Sequence, residues 1–317
     1  VKAQSAGIRK TGAAAGALTG FLLLALVLPR FYLYLLSLIL ATGLLATSLN
    51  LVLGFGGMYQ FHHSVFYGVG AYCLALILTR SGLPAWIGYL AAPLAASVLG
   101  LVMGLLTVRL SKLYFGMLQI SLGSLVWAIV YRWYSFTGGD DGIHGIPVPE
   151  LIGTSTGAYV FAVLVTAASL AVMYCIVSSP FGMTFAGIRD NPERCRAVGI
   201  DVTAHQLAGQ VLAAFFAGVA GTLFVTVEGS VFPDMMFWTL SLEILIMCLL
   251  GGWFTFFGPM LGAAIIVMLR TVVGIYTEYW TLVLGLVLIL LIFFLPEGVL
   301  GILQKGRQAG GKDAAGN

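Results

Sequence analysis

Apolar runs long enough to cross a bilayer follow one another along almost the whole chain, and no soluble fold accommodates that pattern. A helix needs about 20 apolar residues to traverse a hydrocarbon core roughly 30 Å thick. Such runs fall near residues 12–29, 31–53, 57–79, 84–108, 113–136, 157–178, 205–227, 237–251, 258–276 and 279–295. Pro29, Pro84, Pro180, Pro233, Pro259 and Pro296 stand at or near their ends, where helices tolerate proline. The runs do not alternate between apolar and polar residues, as the strands of a membrane β-barrel would. The sequence predicts an all-α, polytopic transmembrane helical bundle of about ten helices. Residues 1–303 form a single membrane domain, and the Gly-rich, Lys-bearing stretch 304–317 is expected to be a disordered tail.

Composition narrows the function. The chain has 317 residues, of which 60% are hydrophobic and 9% charged. A soluble domain is about a quarter charged, so the solvent for most of this chain is lipid. The net charge is +3, with no basic run and no aromatic–basic interleaving, so nucleic acid is not an expected partner. Cys73, Cys175, Cys195 and Cys248 form no CxxC pair, which argues against a zinc site or a disulfide framework. The first apolar run follows Lys2, Arg9 and Lys10, as in a signal peptide. It is longer than the usual apolar core of about 7–15 residues and lacks a small-x-small cleavage site, so a retained helix is expected.

Lys and Arg set the orientation. With both termini in the cytoplasm, the inside segments hold Lys2, Arg9, Lys10, Arg109, Lys112, Arg189, Arg194, Arg196, Lys305, Arg307 and Lys312. Outside lie Arg30, Arg80, Arg132 and Arg270, a ratio of 11 to 4 that the opposite orientation would invert. The outer loop 137–156 carries Gly138-Gly139-Asp140-Asp141-Gly142, the composition of a tight turn. The inner loop 179–204 is the one sizeable polar stretch between the runs. Within it Asp190-Asn191-Pro192-Glu193 reads as a helix start, Arg194 and Arg196 continue it, and Gly199 ends it. A short helix along the cytoplasmic face is therefore expected there.

No enzyme signature is present: no HExxH, no GxSxG and no GxxxxGK[ST], so ATP has no P-loop on this chain. His62 and His63 are adjacent, and on a helix they would diverge by about 100°, too far to share a metal. No metal, cofactor or catalytic residue is expected. Four features remain. Gly54-Phe55-Gly56-Gly57, followed by Gln60, His62, His63 and Ser64, suggests either a broken or re-entrant helix lining a wet cavity, or a plain loop with close-packing glycines. Glu243 lies inside an apolar run, where a charge costs about 2.5–3.5 kcal/mol, and so serves either a substrate path or a structural hydrogen bond. Gly251-Gly252, Gly258-Pro259 and Gly262-Ala263 suit close helix packing, and the first pair echoes Gly56-Gly57. The inner loop is either a docking surface for an external motor or an ordinary positive-inside loop.

From about Ala46 to Leu303 the chain resembles the permease subunits of branched-chain amino-acid ABC importers, of the Liv-type M kind. The blocks that carry the resemblance are His63 with Gly68-Val69-Gly70-Ala71-Tyr72, Leu113-Tyr114-Phe115, Thr137 to Gly142 with Gly145-Ile146-Pro147, Ser179-Pro180-Phe181-Gly182, Ile188 to Asn191, Ala197 to Ile200, and Ser241 to Ile244 with Gly251-Gly252 and Gly258-Pro259. The chain departs from the family at Gln60 and His62, where serine and glycine are usual, and at Phe254, where glycine is usual. The resemblance implies a multi-pass subunit of the bacterial cytoplasmic membrane, paired with a second homologous permease. Two ATP-binding subunits would drive the pair by alternating access, and a periplasmic or extracellular substrate-binding protein would deliver leucine, isoleucine or valine. It makes Arg189, Asp190, Asn191, Arg194, Arg196 and Gly199 the candidate ATPase-coupling loop. Gly56, Gly57, Gln60, His63 and Glu243 are the candidate translocation path, and Asp140, Asp141, Glu228 and Asp234 the candidate outer docking loop. The alternatives are the same machine carrying urea, short amides or other amino acids, and, further off, a stand-alone secondary transporter or channel.

Overall fold

The computed structural model describes residue 16, residues 19–110 and 112–276, and scattered positions between 279 and 300. The start of the expected run 12–29, most of 279–295 and all of the tail 304–317 lie outside the described residues. Residues 19–27 are helical. The chain then forms α1 (Arg30–Asn50), which continues as a π-turn over Leu51–Phe55. There follow α2 (Ser64–Leu76), extended by a second π-turn over Ile77–Ser81, then α3 (Ala85–Thr107) and α4 (Lys112–Arg132). Next come α5 (Ser155–Ser178), two short helices α6 (Pro180–Asp190) and α7 (Pro192–Ala197), and α8 (Val202–Glu228). The series ends with α9 (Trp238–Gly251) and α10 (Gly258–Tyr276). Among the described residues seven helices are long and apolar enough to cross a membrane, and α9 is a shorter apolar helix.

Two expectations need correction and a third is extended. The run 57–79 becomes helical only at Ser64, because Gly57 adopts φ +65 and residues 58–63 turn back on themselves. The run 113–136 is interrupted at Trp133 (φ −91, ψ 65), between α4 and a short helix over Tyr134–Thr137. The Thr137 hydroxyl donates to the Val130 carbonyl before the break and to the Trp133 carbonyl. The expected inner-loop helix forms over Pro192–Ala197, and a helix that the sequence reading does not announce, Pro180–Asp190, precedes it. Proline disfavours helical geometry in the residue before it, so Ser179 (φ −81, ψ 168) and Asn191 (φ −158, ψ 96) are extended. Each then caps the helix that its proline begins: the Ser179 hydroxyl accepts from Gly182 N–H, and the Asn191 Oδ1 accepts from Arg194 N–H.

The centre of the bundle is α8, against which α1, α2 and α3 pack. Small residues make that possible. Gly70 of α2 faces Gly218 of α8, and Gly218 faces Pro93 and Ala96 of α3; Gly100 of α3 meets Ala214 of α8. Helices in lipid associate by such close approach rather than by hydrophobic burial. Around this seam Leu44, Leu45, Leu49, Phe66, Tyr67 and Leu223 are fully enclosed. On the side opposite α6 and α7, two strands that the sequence does not announce, β1 (Ile143–His144) and β2 (Ser230–Val231), pair antiparallel and tie the 137–156 loop to the end of α8.

Enlarging the seam should cost stability. A Cβ on Gly221 would overlap the Tyr67 carbonyl, whereas one on Gly274 meets nothing within 4 Å. Gly221→Val is expected to lower the thermal unfolding midpoint in detergent, at a cost of about 1–3 kcal/mol. Gly274→Ala should leave the midpoint unchanged.

Candidate functional site

A chain that stops being helical inside hydrocarbon must satisfy its freed backbone groups from within the protein. The stretch 56–63 does this with side chains. Ser64, the first residue of α2, is fully buried within the bundle. Its N–H donates to the Ser241 hydroxyl oxygen at 3.0 Å, the Ser241 hydroxyl donates to Ser64 Oγ at 2.7 Å, and the Ser64 hydroxyl donates to the Phe237 carbonyl at 3.1 Å. Two helix N-termini, those of α2 and α9, are thereby joined inside the bundle. One residue earlier, His63 bonds Ser48 through Nε2 at 2.8 Å and Gln60 through Nδ1 at 2.9 Å, with all three side chains buried. His63 Nδ1 faces Gln60 Oε1, an acceptor, so Nδ1–H donates there and Nε2 is left to accept from the Ser48 hydroxyl, which also lies 2.7 Å from the Leu45 carbonyl.

The neighbouring helix α4 gives this stretch its bed. Gly116 admits the Phe61 ring and Gly123 the His62 ring. His62 is fully enclosed, and neither of its ring nitrogens has a partner among the described residues; the same holds for Gln119 Oε1. A ring so enclosed between helices fits the close-packed alternative better than an open, wet cavity.

The five expected path residues occupy three places rather than one lumen. Gln60 and His63 are bonded to each other and sealed from outside. Gly56 and Gly57 lie at the end of the bundle that bears α6 and α7, against Phe185 and Arg189, and line a small crevice with Met58, Val108 and Ile188. Glu243 is half-buried on α9. Sequence reasoning missed Ser48 and Ser241. Ser48 was visible as a polar residue within an apolar run, but its partner stands 15 residues away.

The inner-loop residues divide in two. Asp190, Arg194, Arg196 and Gly199 are exposed, with Arg196 bridged to Glu193 at 2.8 Å and Met183 and Val198 uncovered beside them. Asn191 is a cap. Arg189 faces inward: its Nη1 donates to the Gly54 carbonyl at 2.7 Å and its guanidinium lies over the Phe254 ring, 5.4 Å from the centroid. On the opposite side Asp140, Asp141, Glu228 and Asp234 are all exposed. The β1–β2 pair, together with the Ile146 N–H bond to the Gly229 carbonyl at 3.1 Å, gathers these loops. Glu228 also accepts from the Tyr34 hydroxyl at 2.8 Å.

Known proteins resemble this chain over most of its length. A high-affinity branched-chain amino acid transport system permease protein, LivM, of Salmonella typhimurium is 29% identical over 86% of this chain and 71% of its own. Its Escherichia coli counterpart is 28% identical over 81% of this chain and 67% of its own. A probable branched-chain amino acid transport permease protein of Methanocaldococcus jannaschii is 23% identical over 74% of this chain and 69% of its own. No solved structure matches. The family described as the permease component of branched-chain amino acid transport systems matches residues 31–292, and the chain belongs to that family.

Proposed function

We propose that this chain is one of two homologous permease subunits of an ATP-binding-cassette importer that carries leucine, isoleucine and valine into the cytoplasm. The family match over residues 31–292 carries this reading. Two separate ATP-binding subunits supply the energy on the α6–α7 side. A substrate-binding protein delivers cargo to the acidic loops on the other side, and the chain itself performs no catalysis. The membrane is the bacterial cytoplasmic membrane.

The geometry supports the division of labour. A subunit driven by an external motor must present it with a rigid contact. Capped helices α6 and α7 provide one, with exposed Arg194, Arg196, Met183 and Val198 combining charge and apolar area. Behind them, the Phe185 ring fills the space left by Gly56 of α1's end and Gly209 of α8. A push on α6 therefore meets the two central helices directly. In the bundle, the junction of α2 and α9 at Ser64 and Ser241 is held by three hydrogen bonds rather than by continuous helix. Such a joint can exist in two arrangements separated by a few kcal/mol, which alternating access requires. An apolar lumen against a sister permease suits aliphatic side chains.

Two outcomes are expected. The complete transporter in proteoliposomes should take up leucine only with ATP on the α6–α7 side and with its binding protein present. Uptake without ATP would point to a stand-alone carrier, and competition by urea but not leucine would overturn the cargo. Arg194→Glu combined with Arg196→Glu should reduce co-purification of the ATP-binding subunits by about tenfold, since like charges set across an interface cost on the order of a kcal/mol or more.

A further inference from the structure

Among the basic residues of the inner loop, Arg189 alone turns its charge into the bundle, and what it holds there is the broken end of α1. At the π-turn over Leu51–Phe55 the helix loses its regular register, and a helix C-terminus leaves carbonyls without intrahelical donors. Gly54 offers one of these, and Arg189 Nη1 donates to it at 2.7 Å. The stem of Arg189 occupies the space beside Gly57, where an added Cβ would come within 2.6 Å of its Cγ. The guanidinium face covers Phe254, in the loop that follows α9. That loop is itself tied to α1, because the Asn50 Nδ2 donates to the Thr255 carbonyl at 3.1 Å. The other edge of Arg189 is held by Asp190: Nε and Nη2 each lie 3.0 Å from the same Oδ1. Asp190 is largely open to solvent, with 69% of its side chain exposed against 28% for Arg189.

We propose that Arg189 is the positioning residue that transmits movement of α6 and α7 to the break at 56–63, and that it is not a docking contact. The inference rests on the proposed importer function. Asp190 is the handle. A cation on a bound ATP-binding subunit competes with Arg189 for that carboxylate and changes the pull on the guanidinium. Arg189 then tightens or releases the Gly54 carbonyl, and the end of α1 shifts relative to the loop after α9. Because residues 58–63 follow directly from Gly57, that shift moves Gln60 and His63 against Ser48.

The test uses the complete transporter in proteoliposomes, reading leucine moved per ATP hydrolysed together with the amount of ATP-binding subunit bound. Arg189→Gln removes the charge, and Gly57→Ala keeps it while straining the turn at φ +65 and crowding the Arg189 stem; Arg189→Lys keeps a cation able to reach Gly54. We expect the first two to retain the ATP-binding subunits while losing about tenfold in leucine per ATP, as loss of one charge-assisted hydrogen bond allows, and Arg189→Lys to recover much of it. Loss of the ATP-binding subunits from Arg189→Gln would make Arg189 a docking residue and overturn the proposal. Lowered amounts of protein with an unchanged leucine-to-ATP ratio would make it a structural cap, with the same consequence. Failure of the wild-type complex to take up leucine would instead overturn the importer reading.

Discussion

The absence of water from the hydrocarbon core governs everything else in this protein. A helix interrupted there exposes donors and acceptors that only protein can satisfy, and two interruptions occur, before α2 and before α9. The chain resolves both with one device. Ser241, in the first turn of α9, accepts from the Ser64 N–H that opens α2 and donates to its hydroxyl, and the Ser64 hydroxyl donates to the Phe237 carbonyl just before α9. His63, Gln60 and Ser48 complete the repair on the α1 side. The glycine seam between α2, α3 and α8 sets the close approach of the helices around this junction.

How much of this is legible in sequence depends on the range of the interaction. Apolar run length, a local property, locates the bundle and most helix ends to within a few residues. Caps are local too, and Asn191-Pro192 marks the start of α7 as expected. The start of α2 is displaced from 57 to 64 because the apolar content of 57–63 says nothing about whether its backbone finds helical partners. The Ser64–Ser241 contact spans 177 residues, and nothing local to either residue announces it. β1 and β2 are each two residues long, too short to show any periodicity. Arg189 and Arg194 are equivalent as basic loop residues in sequence; only the fold shows that one points inward and the other outward.

The two faces of the bundle also differ in how they are stiffened. At the α6–α7 end the caps of Ser179, Asn191 and Asp201 fix three successive helix starts, so the segment can transmit force without bending. At the opposite end the loops rest on glycines at positive φ, namely Gly138, Gly139, Gly142 and Gly145, and on a pair of two-residue strands.

The doubled glycines noted in sequence, Gly56-Gly57 and Gly251-Gly252, acquire a common meaning from this. Gly57 (φ +65) and Gly252 (φ +108) each turn the chain sharply just beyond a helix C-terminus at the same end of the bundle. Helix C-termini carry partial negative charge and favour a cation. Arg189 lies between the two turns, bonded to Gly54 before the first and stacked on Phe254 after the second. The helices that end there, α1 and α9, are those whose serines and histidine partner hold the junction. One cation thus contacts both the end of α1 and the loop that follows α9.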